Sequence, residues 1–282
     1  MNKMSPIDRL RRSVRERGLL QTLRLIKKFI YNKKGYEVYT KATKPFFSEY
    51  DFHGDYRFRC INTNVCIDYD LGMLYNRVQK SANSYTCMLL YLIKNTMEST
   101  NYTSEMKAHW LRPDDLNAKQ VDAVEDLCKF TFVRSPYTRV LSAYNDKIEN
   151  QLEKDNSNYI IKSNSFGEFL DALAEGNLYL NKHWVPQTEL LAFPARKFDY
   201  IGKVENYETD FLRISECFDL QQSINVSDIL NQTGERDGHR TNSSQQLREY
   251  YDDSKIDKVN RLYEKDFNTF NYPMLDSASQ LS

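Results

Sequence analysis

Residues 131–147 read TFVRSPYTRVLSAYNDK, and the stretch changes from strand to helix in its middle. The apolar run at 130–133 (FTFV) is rich in β-branched and aromatic residues, which is typical of a buried strand. Ser135 is a good helix N-cap, and Pro136 suits the first helical position, so a helix is predicted to follow. Arg134 is therefore expected at the carboxyl end of a strand and beside a helix N-terminus, where an anion could bind.

A second strand–loop–helix unit lies upstream. MLYNRV (73–78) predicts a strand, QKSANS (79–84) a polar loop and YTCMLLYLIK (85–94) an apolar helix. Such a loop presents backbone N–H groups to an anion, and Lys80 adds a positive charge. It is not a Walker A motif, because that motif needs glycines and the loop has none. A phosphate site and an ordinary solvated turn both remain open at this point.

The order of elements predicts an α/β fold. A strand within 198–206 leads to a helix over 207–217, a Ser165-capped helix ends at Gly176, and further helices are predicted at 114–129 and 253–267. The polar segment 222–244 is interpreted as a loop. Strands that alternate with helices indicate a parallel sheet covered on both faces.

The chain has no net charge, but its charge is uneven. Residues 1–45 carry 13 Lys/Arg and 3 Asp/Glu, whereas the remainder carries 26 and 36, so a surplus of ten positive charges lies in the N-terminal segment. Apolar residues at helical spacing over 5–30 predict a basic amphipathic helix there. It could contact a membrane surface or a partner, or it could pack on the domain with its basic face in solvent. We divide the chain into this extension (1–45) and one domain (46–282), and we expect no nucleic-acid partner.

The five cysteines are odd in number and lack Cys-x-x-Cys spacing, so neither a disulfide framework nor a zinc site is predicted. Cys87 and Cys128 lie in apolar runs and are interpreted as small buried hydrophobes. The sequence has no apolar stretch long enough to span a membrane and no uninterrupted signal-peptide core. These features predict a reduced, cytoplasmic protein, with residues 5–30 as a candidate peripheral membrane contact.

The two strand–loop–helix units together resemble the sulfotransferase family that contains the Golgi carbohydrate sulfotransferases (chondroitin and dermatan 4-O type) and, more distantly, heparan 2-O-sulfotransferase. The family's 3′-phosphate segment reads roughly Phe-Val-Arg-Asp-Pro-Phe-x-Arg-Leu-x-Ser-Ala-Tyr-x-x-Lys, and residues 132–147 match nearly every position. Its 5′-phosphosulfate loop reads roughly Pro-Lys-x-Ala-x-Thr-x-Trp. Residues 79–86 (QKSANSYT) keep the Lys and Ala but lack the Pro and Trp. Residues 182–211, with KHWVPQ, and 239–272 resemble later family segments.

The resemblance implies a P-loop-NTPase-like three-layer fold with a central parallel sheet. It also implies transfer of a sulfuryl group from 3′-phosphoadenosine 5′-phosphosulfate to a hydroxyl of a carbohydrate or glycoconjugate, without a metal. Lys80 would steady the bridging oxygen, while Arg134 and Ser142 would bind the 3′-phosphate. The residues that the resemblance assigns to the donor are Lys80, Ser81, Ala82, Asn83, Ser84, Tyr85, Arg134, Ser142 and, as a weaker candidate, Arg240.

The base that removes the proton of the acceptor hydroxyl is expected to be a histidine, because its ordinary pKa is near neutrality. His109 is the preferred candidate, since family members have a catalytic His upstream of the 3′-phosphate strand; His183, in KHWVPQ, is the alternative. Two other functions remain open, a small-molecule kinase with a P-loop-like sheet and a non-catalytic nucleotide-binding relative. The acceptor and the oligomeric state are not predicted.

Overall fold

The computed structural model describes residues 44–50, 61–95, 103–149, 161, 163–220, 225–234 and 243–281. The predicted helix over 5–30, most of the 1–45 extension and Arg240 lie outside these residues. The described chain forms an α/β fold around one four-stranded sheet.

The sheet contains β1 (Val65–Asp68), β2 (Met73–Asn76), β3 (Cys128–Val133) and β4 (Tyr200–Lys203), in the order β1-β2-β3-β4. Strands β2, β3 and β4 run parallel, whereas β1 pairs with β2 antiparallel. The prediction of a parallel sheet is therefore confirmed except at the edge. The edge strand β1 was not predicted, because an alternation of strands and helices indicates parallel neighbours only. β1 reaches β2 through a short turn, and such a turn can join only antiparallel strands.

Helices connect and cover the strands. They are α1 (Pro45–Glu49), α2 (Asn83–Asn95), α3 (Ser104–Ala108), α4 (Ala118–Asp122), α5 (Pro136–Tyr144), α6 (Phe166–Ala172), α7 (Tyr207–Ser215), α8 (Val226–Gly234), α9 (Ser243–Tyr250), α10 (Asp253–Leu262) and α11 (Glu264–Phe270). Short 3₁₀ turns lie at Pro113–Asp115, Ala123–Asp126, Gln187–Leu190, Ala195–Lys197, Val204–Asn206 and Ala278–Gln280, and π turns at Asn145–Glu149 and Leu173–Asn177.

Both faces of the sheet are buried, as predicted. Successive side chains of a strand point to opposite faces, and here they enter two separate apolar clusters. One cluster contains Val65, Ile67, Leu74 and Val133, and the other contains Cys66, Met73, Tyr75, Phe130 and Phe132. A third cluster joins α5 to α6 and α10. The sheet is thus packed on both faces, so the loops that follow the carboxyl ends of β2 and β3 start from fixed positions.

Several local predictions can be compared with the structure. The side chain of Ser165 accepts the backbone N–H of Glu168 at the start of α6, and Gly176, with φ 112°, lies near the end of the following π turn, as expected. The predicted loop at 222–244 is wrong in part, because α8 and the start of α9 lie within it. The predicted helix at 114–129 is broken into short pieces, and the last helix is interrupted at Tyr263.

The structure joins Cys128 to Cys217 in a disulfide, with Cα atoms 6.2 Å apart. The prediction that Cys128 is a small buried hydrophobe without a disulfide is therefore wrong. The bond joins the first residue of β3 to Cys217, which lies two residues after the end of α7 and 89 residues after Cys128. Spacing in the sequence does not indicate that these two positions meet. Cys87, by contrast, is a free and fully buried thiol, as predicted.

Across the residues that the structure describes, no helix is both long enough and apolar enough to cross a membrane.

Candidate functional site

The loop after β2 has an unusual backbone. Lys80 and Ala82 both have positive φ, 66° and 52°, although neither is glycine. Left-handed residues that alternate with ordinary ones make successive N–H groups converge on a concavity that suits an anion. Helix α2 begins at Asn83, and its first N–H groups have no partner within the helix. The loop thus has two left-handed residues without the glycines of a Walker A motif, at the cost of local strain.

Arg134 lies beside this loop. Strands β2 and β3 are parallel neighbours, with Asn76 opposite Thr131, so the segments that follow them emerge at the same edge of the sheet. The Arg134 Nη1 donates to the backbone oxygen of Lys80 at 3.4 Å, and its Nε donates to Thr138 Oγ1 at 3.0 Å. The two anion-seeking groups predicted from sequence are therefore brought together.

Gln187 connects the two loops. Its side chain is fully buried, and its Oε1 accepts from the Ser81 hydroxyl at 3.1 Å and from the Arg134 backbone N–H at 2.9 Å. Its Nε2 donates to the Arg134 backbone oxygen at 2.8 Å. Sequence reasoning gave Gln187 no role, although it stands in the KHWVPQ segment. The Ser81 hydroxyl, assigned to the donor by resemblance, is used in this internal bond.

Arg139 holds a third segment against the same loop. This arginine is 1% exposed, and its guanidinium donates to the backbone oxygens of Gln79 at 3.0 Å, Val185 at 2.8 Å and Lys182 at 3.3 Å. The residues directly before Lys80 and directly before His183 are therefore bound by one planar group. This contact brings His183 to the Lys80 loop.

His183 has a defined tautomer. Asn181 Oδ1 accepts the backbone N–H of His183 at 3.0 Å and lies 2.7 Å from its Nδ1. A backbone N–H can only donate, so the amide oxygen must face it, and Nδ1 must therefore carry the proton. The lone pair is left on Nε2. Burial, followed by the positive charges of neighbouring lysines that include Lys80, lowers the pKa of His183 to about 3.

His109 lies elsewhere on the fold. It follows α3 and is exposed, with its ring centroid 5.0 Å from that of Tyr91 and 5.1 Å from that of Trp110. Tyr91 is eight residues beyond the first residue of α2, which is about 12 Å along the helix axis. His183, in contrast, is connected with the Lys80 loop through Arg139 and through the charge of Lys80.

Lys80 is held by a carboxylate that the sequence analysis did not consider. Its Nζ lies 3.1 Å from Asp146 Oδ2, and the same oxygen lies 3.1 Å from Lys147 Nζ. Burial lowers the pKa of Lys80, and the Asp146 charge opposes this effect. Asp146 and Lys147 belong to the π turn after α5, so the opening stretch supplies both Arg134 and this carboxylate.

The remaining sequence candidates have varied positions. Asn83 accepts a hydrogen bond from Arg77 Nη2 at 3.3 Å, and the Tyr85 ring packs on Tyr207, with centroids 5.2 Å apart. Ser84 is partly exposed in the first turn of α2, and Ser142 is partly exposed near the end of α5. Within the described ranges, no group of three or more His, Cys, Asp or Glu is arranged to hold a metal ion.

Comparison with known proteins supports the resemblance that the sequence suggested. A family model described as "Sulfotransferase family" matches residues 63–273, most of the chain. A mouse (Mus musculus) protein named carbohydrate sulfotransferase 14 is 28% identical over 122 residues, which cover 38% of this chain and 31% of the relative. The matched part is thus about a third of that relative's length. No solved structure matches the chain.

These matches correct the predicted location. A cytoplasmic, reduced protein was expected, but the relative is a carbohydrate sulfotransferase, of a family of enzymes of the Golgi lumen. The Cys128–Cys217 disulfide agrees with this correction, because disulfides persist in oxidising compartments. The prediction was wrong because it relied on cysteine spacing and on hydropathy, and neither property reports which cysteines meet in the fold.

Proposed function

Because the chain belongs to the sulfotransferase family, we propose that it transfers a sulfuryl group from 3′-phosphoadenosine 5′-phosphosulfate to a hydroxyl of a carbohydrate or glycoconjugate. The observation that carries the proposal is the junction at Gln187, which fixes the Lys80 loop and Arg134 side by side at the carboxyl edge of β2 and β3. One nucleotide with phosphates at both its 5′ and 3′ positions would use both. The name of the mouse relative supports the carbohydrate acceptor.

Different residues would bind the 5′ and the 3′ groups of this nucleotide. We propose that the N–H groups of 82–85 and the Lys80 ammonium bind the 5′-phosphosulfate and stabilise the charge that develops on the bridging oxygen. Arg134 would bind the 3′-phosphate, with Ser142 of α5 as a second donor. Arg240 remains a candidate from sequence alone. A P-loop-like sheet supports this use of a strand–loop–helix unit, since parallel strands bind ligands beyond their carboxyl ends.

We assign the base to His183 in preference to His109. The ring proton is on Nδ1, which donates to Asn181, so the Nε2 lone pair can accept a proton. The charge of Lys80 acts on the same ring. Burial and then the charges of the neighbouring lysines lower the pKa of His183. The anionic donor would offset those charges and raise this pKa towards the range of an effective base.

Binding of two nucleotides tests the donor. We expect 3′,5′-adenosine bisphosphate, the product left by the donor, to raise the melting temperature, while ATP at the same concentration raises it much less. Arg134→Ala should remove most of the bisphosphate effect. Stabilisation by ATP but not by the bisphosphate would exclude the sulfotransferase mechanism and favour a kinase.

Variants of the two histidines test the base. With labelled donor and a panel of polysaccharide acceptors, we expect His183→Gln to reduce turnover at least a hundredfold, since positioned acid–base catalysis is worth about 10²–10⁴. His109→Gln should retain turnover. The reverse pattern would move the base to His109 and leave the donor site as proposed.

A further inference from the structure

A buried pair of thiols lies on the sheet face beneath the donor loop. In the β1–β2 ladder, Cys66 is directly opposite Tyr75. Arg77 follows Tyr75 by two residues, so it shares the same face and lies diagonal to Cys66. Its backbone N–H continues the ladder by donating to Asn64 at 2.9 Å. Cys66 is fully buried and Arg77 is 7% exposed, so solvent is excluded from this contact.

Helix α2 brings the second thiol to the same place. Arg77 Nη2 donates to Asn83 Oδ1 at 3.3 Å, which fixes the first turn of α2 above Arg77. Cys87 is four residues after Asn83 and therefore lies on the same side of the helix, facing the sheet. Cys66 and Cys87 belong to one apolar cluster, and each thiol affects the pKa of the other.

The surroundings of this pair favour a thiolate. Arg77 has no Asp or Glu within ion-pair distance among the residues described, and its Nε is buried without a hydrogen-bond partner. Burial by itself would raise the pKa of the Cys66 thiol, but the hydrogen bond from Cys87 and the charge of Arg77 outweigh it and lower this pKa to about 6. Burial raises the pKa of Cys87, which keeps its proton and donates it.

We propose that Cys66 and Cys87 form a second disulfide, one that is reduced more easily than Cys128–Cys217. Both thiols are fully buried, so the exchange takes place when α2 opens locally from the sheet. The Cys66 thiolate attacks one sulfur of an external disulfide and releases the other as a thiolate. The Cys87 thiolate then attacks Cys66 Sγ in the mixed disulfide and releases the second thiolate. The two protons that Cys66 and Cys87 lose are taken up, through solvent, by the two released thiolates, so two electrons reduce the external disulfide to two thiols. Oxidised glutathione or a disulfide-bearing protein is a sufficient oxidant.

The difference in ease of reduction follows from Arg77. A cation beside one sulfur stabilises the reduced thiolate form and makes that sulfur a good leaving group, which raises the reduction potential of a disulfide. When Cys66 is oxidised, Arg77 loses this anionic partner and retains only its neutral hydrogen bonds, one of which is to Asn83 at the start of α2. The Arg77 side chain thus connects the thiol pair with the donor loop.

Peptide mapping of the full chain tests the proposal. The folded protein is equilibrated in mixtures from oxidised to reduced glutathione, quenched in acid, alkylated after unfolding and digested without reductant. We expect a peptide linking Cys66 to Cys87 in oxidised glutathione. It should disappear at a reduced-to-oxidised ratio at least tenfold lower than the ratio that opens Cys128–Cys217.

Two variants define the outcome. Cys60, near in sequence to Cys66, is the matched control, and Cys60→Ser should leave the 66–87 peptide unchanged. Arg77→Met should make the 66–87 bond harder to reduce, because it removes the cation that stabilises the thiolate. The mapping of the wild-type protein does not depend on whether either variant folds. Full alkylation of both Cys66 and Cys87 in oxidised glutathione, or a 66–87 bond as resistant as Cys128–Cys217, would overturn the proposal.

Discussion

The junction at Gln187 gives the most direct prediction, because one buried amide holds both proposed phosphate sites. Gln187→Met keeps the length and most of the volume of the side chain, so no large cavity is made. It removes the three hydrogen bonds to Ser81 and Arg134. The Ser81 hydroxyl can rotate to another acceptor, but the N–H and C=O of Arg134 cannot.

The magnitude follows from these two backbone groups. A buried donor or acceptor that loses its partner costs about 1–3 kcal/mol, so the pair costs about 2–6 kcal/mol of the free energy of unfolding. Because Arg134 is no longer fixed relative to the Lys80 loop, we also expect affinity for 3′,5′-adenosine bisphosphate to fall at least tenfold. Gln187→Glu should behave similarly, since a carboxylate would face the Arg134 carbonyl without a proton to donate.

Urea unfolding and isothermal titration measure the two effects. The matched control is Glu189→Met in the same 3₁₀ turn, which removes only an exposed ion pair with Lys265, worth about 0–1 kcal/mol. Equal unfolding midpoints for Gln187→Met and Glu189→Met would refute the reasoning about the buried amide. Reduced stability with unchanged bisphosphate affinity would show that Gln187 supports the fold but not the donor site.

Three further predictions concern charge and covalent structure. Asp146→Asn should raise bisphosphate affinity about three- to tenfold in titrations, since it removes a partly exposed carboxylate that competes for Lys80 and is worth about 1 kcal/mol. Asp257→Asn, whose side chain is on the exposed side of α10, should have no effect, and weaker binding by Asp146→Asn would contradict the assignment. In the empty protein, NMR titration should give His183 a pKa well below the ordinary 6.5, rising when the bisphosphate binds. Between about pH 6.5 and pH 3 the unfolded chain binds a proton at His183 that the folded protein does not bind, so this residue lowers the free energy of unfolding as pH falls through that range. An ordinary pKa of His183 in the protein without nucleotide would disprove the burial argument. Cys217→Ser should cost about 4–5 kcal/mol in urea unfolding, from the entropy of the loop of 89 residues that the bond closes, and a loss below about 1 kcal/mol would count against it.

Residues 131–147 show which features of the candidate site could be predicted from the sequence. Strand β3, the Pro136 start of α5 and the position of Arg134 at the junction follow from local residue types and were predicted correctly. The expected cap was not formed by the Ser135 side chain. Its backbone N–H instead donates to Glu205 Oε1 at 2.8 Å, a partner 70 residues away that no local pattern indicates.

Long-range contacts set the remaining properties. Whether His183 or His109 approaches Lys80 depends on Arg139, which binds backbone oxygens from two distant loops, and those acceptors carry no side-chain signature in the sequence. The buried Gln187 junction depends in the same way on backbone groups. The Cys128–Cys217 bond depends on how α7 returns to the start of β3, which cysteine spacing does not encode.

The sequence by itself determined the α/β alternation, the two strand–loop–helix units and the resemblance to sulfotransferases, because apolar periodicity, caps and motif spacing act over a few neighbouring residues. Only the tertiary structure decided which histidine lies near the Lys80 loop, which carboxylate holds Lys80 and which cysteines pair. These depend on the packing of segments far apart in the chain, where the partners are often backbone groups that every residue possesses.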